Sequence, residues 1–339
     1  MTTRRDTIKN LGMLGTSAAV YSTFAAIALG AQNALAQALE QVKIVNGFPA
    51  GGTADATSRR VAEKLAGTPY TKAVGIVENK PGAGGRIACE TVKAAPADGS
   101  VLLLTPYSCM SIYPHIYSKL SYDPVKDFVP VSIAAVMTHG LAVGPLVPTT
   151  VKTVADYVAW AKANVKDANY GSPAAGSTPH FLGALLGLQT NTELRHVAYR
   201  GSVPGVADMI GGQLASMFTP TGDFLVNHKA GKIRILATSG TNRTPFTPEI
   251  PTFAEQGFPQ LTTDEWFGFY APAKTPGSVV AAANAAISAA LKEKSSIDGL
   301  ATQGLIAMSS TPEAMAKSQR EEFDRWGPLV KRVGFTAES

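Results

Sequence analysis

Eight residues, Phe48-Pro49-Ala50-Gly51-Gly52-Thr53-Ala54-Asp55, have the types and spacing needed to hold an anion. They follow a strand-like apolar run, Val42 to Val45, and precede a helix-like run from Ala56 to Leu65. A strand that feeds a glycine-rich turn and then a helix aims several free backbone N–H groups, and the positive end of the helix dipole, at one spot. The plain alternative is a tight turn whose two glycines only let the backbone bend. The local sequence leaves the two readings level. A second stretch repeats the pattern: the strand Ala168 to Tyr170, then Gly171-Ser172-Pro173-Ala174-Ala175-Gly176-Ser177-Thr178, then a helix from Pro179 to Gln189 with Pro in its first turn. Its N–H groups and hydroxyls would form a second cradle for an anion or carboxylate.

Other chemistry is poorly supported. Gly82-Ala83-Gly84-Gly85-Arg86-Ile87 lacks the third glycine of a dinucleotide fingerprint, and neither loop ends in the Gly-Lys-Ser/Thr of a phosphate-binding NTPase loop. There is no G-x-S-x-G nucleophile elbow. None of the five histidines stands at metal-ligand spacing from another, and Cys89 and Cys109 without a neighbouring histidine make a poor zinc site. No metal and no cofactor is therefore expected. The two cysteines fit a disulfide or two buried free thiols equally well. His180 can be a base or can hydrogen-bond its own loop, and the second is favoured. Asp55 can be an acid, a helix cap or the acceptor of a ligand donor. Two polar cradles without a reactive group suit a binder rather than an enzyme.

These cradles need a scaffold, and the chain is long enough to supply one. Its 339 residues, 45% hydrophobic, can bury two cores. Only 16% are charged and the formal charge is +5, with no basic run or aromatic-interleaved basic stripe, so no nucleic-acid partner is indicated. Residues 1–36 read as an export signal: Arg4-Arg5 and Lys9, an uncharged run from Asn10, and an Ala34-Leu35-Ala36 cleavage site. Thr3 to Lys9 resembles a twin-arginine signal, with Thr7 where such signals usually carry Phe, and the general secretory route stays open. The mature chain opens with a β-α-β-α-β rhythm: Val42 to Val45, Ala73 to Glu78 and Val101 to Leu104 as strands, with helices over 56–65 and 86–94. Such fully apolar strands belong to a parallel sheet covered on both faces, with ligands outside the strands' carboxyl ends. A second α/β set begins after Pro145, with a capping box at Thr153 to Asp156. A third part follows from a strand at Trp266 to Tyr270, through helices over Gly277 to Lys292 and Pro312 to about Val333.

Several blocks in this order resemble the periplasmic receptors of tripartite tricarboxylate transporters, the Bug family of solute-binding proteins. They are Phe48-Pro49-Ala50-Gly51-Gly52 with Asp55, Val77-Glu78-Asn79-Lys80-Pro81-Gly82-Ala83-Gly84-Gly85, Tyr122 to Phe128, Tyr170-Gly171-Ser172 with His180, Tyr199-Arg200-Gly201, and Trp266. The resemblance implies an α/β, two-domain, type II periplasmic-binding-protein (Venus flytrap) fold with the ligand in the interdomain cleft. Domain 1 would hold 42–142 and 262–339, and domain 2 would hold 143–261. It further implies a ligand carboxylate held by Phe48, Pro49, Ala50, Gly51, Gly52, Thr53 and Asp55 from one domain and by Ser172, Ala175, Gly176 and Ser177 from the other. Thr105, Tyr107, Tyr199 and Asp223 would complete the cleft lining. Many relatives carry an acid where Thr219 stands here, which weakens the case for an amine-bearing ligand. The partners implied are a small organic acid and the permease subunits of a transporter, with the receptor itself a monomer. The alternatives are a secreted enzyme acting on a carboxylate through Asp55 or His180, and a ligand sensor feeding a two-component kinase.

Overall fold

The first strand, β1 (Lys43–Asn46), ends in the loop singled out above, and the helix that follows, α1 (Thr53–Lys64), starts three residues earlier than its apolar pattern suggests. Its buried positions, Ala54, Thr57, Ser58, Val61 and Ala62, recur every three or four residues, so one stripe faces the sheet while Arg59, Arg60 and Glu63 face water. The buried hydroxyls of Thr57 and Ser58 are satisfied within the helix by the carbonyls of Thr53 and Ala54. Strands β2 (Ile76–Asn79) and β3 (Val101–Pro106) flank β1 in parallel, with helix α2 (Arg86–Lys93) between them in sequence. This is the expected β-α-β-α-β unit. The computed structural model describes residues 38–337, so the expected export signal over 1–36 lies outside the described residues.

Beyond β3 the expectation of a parallel sheet fails. Two short helices, α3 (Tyr107–Ser111) and α4 (Tyr113–Ile116), lead to β4 (Phe128–Val143), a strand of 16 residues. The strand order is β2-β1-β3-β9-β4-β7-β5-β6, where β5 is Asn169–Ser172, β6 Arg195–Ala198, β7 Ser216–Pro220 and β9 Asp264–Pro272. Strand β9 runs antiparallel to both β3 and β4, because the chain re-enters the first half of the sheet from the second. Residues Phe128 to Thr138 of β4 pair with β9, whereas His139 to Val143 pair with β7 and Gly140 to Val143 also with β8 (Arg234–Thr238). One strand therefore belongs to both halves.

Each half has its own cores. Clusters around Ile44, Leu102, Phe269 and Ile287, and around Tyr113, Tyr270 and Trp326, fill the first, the latter also taking in Phe181 from the second. Clusters around Leu141, Tyr157, Leu186 and Phe253, and around Met209, Met217 and Phe224, fill the second. Helix α5 (Val154–Ala163) begins with the capping box expected at Thr153 and Asp156. Helices α6 (Thr178–Thr190), α7 (Ser202–Ile210) and α8 (Leu225–Lys229) complete the second half; α9 (Gly277–Lys292), α10 (Lys294–Ala301), strand β10 (Ile306–Ala307) and α11 (Pro312–Val333) return to the first. From Leu39 on, the chain forms one contact body.

Two crossings join the halves. One is β4 at Thr138 and His139. The other is the segment after β8, where Ser239 accepts from the His139 N–H through its hydroxyl, donates its own N–H to the His139 carbonyl, and binds Thr263. Cys89 and Cys109, in α2 and α3, are both buried free thiols rather than a disulfide.

Candidate functional site

The loop before α1 is a rigid knot. Gly51 adopts φ +88°, a conformation open to glycine but strained for other residues, and nothing fills the space beside it. Its N–H donates to Asp55 Oδ2 at 3.0 Å, while Asn79 Nδ2 reaches both the Phe48 carbonyl and Asp55 Oδ1, each at 3.0 Å. Arg59 Nε adds a third donor to the same carboxylate at 3.0 Å. Burial alone would raise the pKa of Asp55, but the hydrogen bonds from Arg59, Gly51 and Asn79 outweigh it and hold the carboxyl below its ordinary value. Asp55 is thus the buckle of the loop. It does not reach the cavity.

The second loop closes on itself as well. Gly176, at φ +77°, donates its N–H to His180 Nδ1 at 3.0 Å, so His180 takes the loop-bracing role favoured by its position. The hydroxyls of Ser172 and Ser177 both donate to the Ala174 carbonyl, at 2.9 and 2.7 Å, and Ser172 also meets His196 Nε2 at 2.8 Å. The expectation that both hydroxyls point at a ligand is corrected: a loop this short satisfies its own carbonyl first.

His180 and His196 stack at 3.9 Å between centroids. Burial pushes the pKa of His180 down to about 3, with help from the charge of His196, and that of His196 down to about 4. Both stay neutral in the fold while an unfolded chain protonates near the ordinary value of 6.5. The stability is therefore intact above pH 6.5 and drains away as the pH falls towards 4 and 3. Unfolding curves at successive pH values should show Tm falling through this window, with a shallower fall in His196→Gln. An equal slope in the two proteins would refute the assignment.

The two loops meet at a small, partly open cavity of about 40 Å³. Of the residues expected to line it, Phe48, Pro49, Gly52, Thr53, Ser177 and Asp223 do so. Ala50, Gly51, Asp55, Ser172, Ala175 and Gly176 are loop framework and do not border it. Thr105 is buried beside the wall residue Pro106 without joining it. Tyr107 points its hydroxyl at Trp326 Nε1 and Arg325, and Tyr199 is tied to Asp208 Oδ2 at 2.9 Å, so neither reaches the cavity. The wall also contains residues the sequence reading missed. Pro106 and Pro220 end β3 and β7, Ser108, Pro179 and Ser202 are helix-start positions, and Met137, His139, Glu265 and Phe267 come from within β4 and β9, while the further wall residues Ala54 and Pro173 lie inside the two loops already singled out. A lone histidine and a lone glutamate inside apolar strands were the available signal.

Three helix N-termini converge here: α1 at Gly52 to Ala54, α6 at Ser177 and Pro179, and α7 at Ser202. Each carries roughly half a positive charge. Asp223 stands among them, its Oδ1 accepting from the Thr53 N–H at 3.0 Å and its Oδ2 from Thr219 Oγ1 at 3.1 Å. The residue retains some accessible surface, yet its carboxyl is packed round with protein, and the carboxyl's surroundings govern its acidity. Burial pushes its pKa up, against hydrogen bonds from Ser202, Thr53 and Thr219. A larger surface hollow of about 820 Å³ lies between residues 117–130 and α11. It includes neither loop, and its charges are mixed, with Lys93, Lys126 and Arg320 beside Asp123 and Asp127, so it has no preference for anions.

Comparison with known proteins adds a second line of evidence. The family model "tripartite tricarboxylate transporter family receptor" matches residues 57–335. The protein BugT of Bordetella pertussis is 29% identical over 297 residues, covering 86% of this chain and 89% of BugT. Among solved structures, an R. palustris protein with adipate superposes with a TM-score of 0.83 at 30% identity, covering 88% of this chain and 98% of the other. MatC from Rhodopseudomonas palustris with bound malate superposes with a TM-score of 0.79 at 26% identity, covering 86% and 98%.

Proposed function

Because this chain belongs to the tripartite tricarboxylate transporter receptor family, we propose that it is a periplasmic solute-binding receptor that captures a small organic carboxylate in the cavity between its two sheet halves and delivers it to the permease subunits of such a transporter. The observation that carries this reading is the convergence of three helix N-termini, contributed by both halves, on one small cavity. Family members are receptors rather than enzymes. The residues weighed as catalytic are otherwise engaged, Asp55 by three donors and His180 by the Gly176 N–H. Adipate and malate in the two relatives make carboxylates the ligand class to test. Residues 42–142 with 262–339, and 143–261, act as the two jaws. They open and close by hinge motion, and the closed form is what the permease recognises. The protein acts as a monomer after removal of residues 1–36.

In this reading the cradles bind through backbone N–H groups of the α1 loop, and Asp223 tunes the site. Its carboxylate already occupies the start of α1, the place a ligand anion would favour. Asp223→Asn keeps an acceptor for the Thr53 N–H but removes the competing charge. Calorimetry on the variant should show simple carboxylates binding about tenfold tighter, roughly 1.4 kcal/mol. Weaker binding of every carboxylate would instead make Asp223 a direct ligand contact.

The reading as a whole is tested by a thermal-shift panel of mono-, di- and tricarboxylates, aromatic acids and amino acids. A ligand at about 100 times its Kd adds about 2.7 kcal/mol, which for a chain this size raises Tm by about 4 °C. If no carboxylate moves Tm, the receptor assignment fails.

A further inference from the structure

The cavity has a second polar feature, opposite in character to the helix N-termini. Strands β4 and β9 present alternate side chains to it, with Met137 and His139 from one strand and Glu265 and Phe267 from the other. Met137 pairs directly with Glu265 in the ladder, which puts His139, two residues on, on the same face. The floor is therefore apolar at Phe267 and Met137 and ionisable at Glu265 and His139. Both ionisable residues are buried, with exposures of 2% and 0%.

Their hydrogen bonding is incomplete. Glu265 Oε1 accepts from the Ser108 N–H at 3.2 Å, and Oε2 lies 2.8 Å from His139 Nε2. The imidazole is turned, however, so that despite this short distance neither ring nitrogen has a hydrogen-bond partner at an acceptable angle. A buried imidazole with no partner at either nitrogen carries a desolvation cost that a bound molecule can relieve. Asp223, the other cavity acid, differs because its two oxygens are already met by Thr53 and Thr219.

We propose that Glu265 and His139 form a reading pole for a hydrogen-bond-donating substituent on the bound acid (a hydroxyl, amide or ammonium group), so that this receptor prefers substituted acids to plain dicarboxylates. The inference rests on the receptor reading above and gives it a ligand class. The oxygens of Glu265 accept hydrogen bonds, so a ligand donor satisfies them, whereas a second ligand carboxylate would set carboxyl against carboxyl beside buried, largely apolar walls. The apolar neighbours Phe48, Met137 and Phe267 suit the carbon chain between the two poles.

Matched acids test this: succinate, malate and aspartate at four carbons, glutarate and glutamate at five, adipate and 2-aminoadipate at six, with Kd measured calorimetrically on the mature protein. At whichever length binds, the donor-bearing acid should bind about tenfold or more tighter than its plain dicarboxylate. Glu265→Gln, nearly the same shape, should shrink that ratio to about threefold or less, and His139→Gln should reduce it in the same direction. The wild-type ratio stands as evidence even if a variant folds poorly. A plain dicarboxylate that binds as tightly as its substituted partner, or a ratio unchanged in Glu265→Gln, overturns the proposal. Failure of every carboxylate to bind overturns the receptor reading instead.

Discussion

Asp55→Ala should weaken binding of any carboxylate about 100-fold, although Asp55 does not border the cavity. The carboxylate gathers the Gly51 N–H, the Asn79 amide and the Arg59 guanidinium. Alanine leaves the part-buried Gly51 N–H without its acceptor, at about 1–3 kcal/mol, and reduces Asn79 to its one bond with the Phe48 carbonyl. It also removes a negative charge from the first turn of α1, where the dipole favours one. The Arg59 contribution is smaller, because its side chain is half exposed and the solvent screens it. The loop that carries Phe48, Pro49, Gly52 and Thr53 into the cavity then loses its buckle, and ligand binding must reorder it. A reordering cost of about 2.7 kcal/mol corresponds to the stated 100-fold. Calorimetric titration with a ligand found in the thermal-shift panel measures it, and the apo Tm should fall by about 4 °C. An affinity within threefold of the wild type would show that the loop keeps its shape without Asp55.

Gly201→Val should leave the protein folded but hold it open. Gly201 precedes α7 at φ +98°, and a Cβ placed there would stand 2.4 Å from Pro49 Cδ and 2.8 Å from Pro49 Cγ. Pro49 belongs to the loop of the first half and Gly201 to the second, so the overlap exists only while the halves are together. Positive φ costs a non-glycine residue about 1–2 kcal/mol in either state, but the collision is relieved by opening. If the closed population falls about 100-fold, the apparent affinity falls with it. Small-angle scattering should give the variant a larger radius of gyration that ligand does not reduce. Ligand-induced compaction equal to that of the wild type would refute the clash.

Sequence and structure agree where the determinants are local. The turn after β1 was legible because strand, glycines and helix adjoin one another, and the capping box at Thr153 was legible for the same reason. The direction of the second loop's hydroxyls was not: Ser172 and Ser177 could equally face a ligand or their own Ala174 carbonyl, and only the folded backbone decides. The floor of the cavity was less legible still. Met137 and Glu265 lie 128 positions apart and meet only through the antiparallel ladder of β4 and β9. Strand β4 gives little period-2 signal, since it is buried over most of its length on both faces. The antiparallel insertion of β9 also escaped a reading based on consecutive β/α units, because it depends on the order in which the chain revisits the first half.

The continuity of β4 gives the molecule a mechanical character. A hinge made of slack loops would lose chain entropy each time it closed, and the ligand would have to supply that free energy. Here the joint is a pleated ribbon, cross-braced by Ser239 against His139 and Thr263. In the proposed hinge motion it would act as a torsion bar: closure would twist an ordered strand against an elastic return force, and release would need no refolding. The bar also passes through His139, which pairs with Pro220 of β7 and lines the cavity. A ligand group seated on His139 would therefore press on the axis of the proposed rotation itself. Grip at that point would set how far the jaws turn, while contacts further out along the helix N-termini, with longer lever arms, would set how firmly they stay shut.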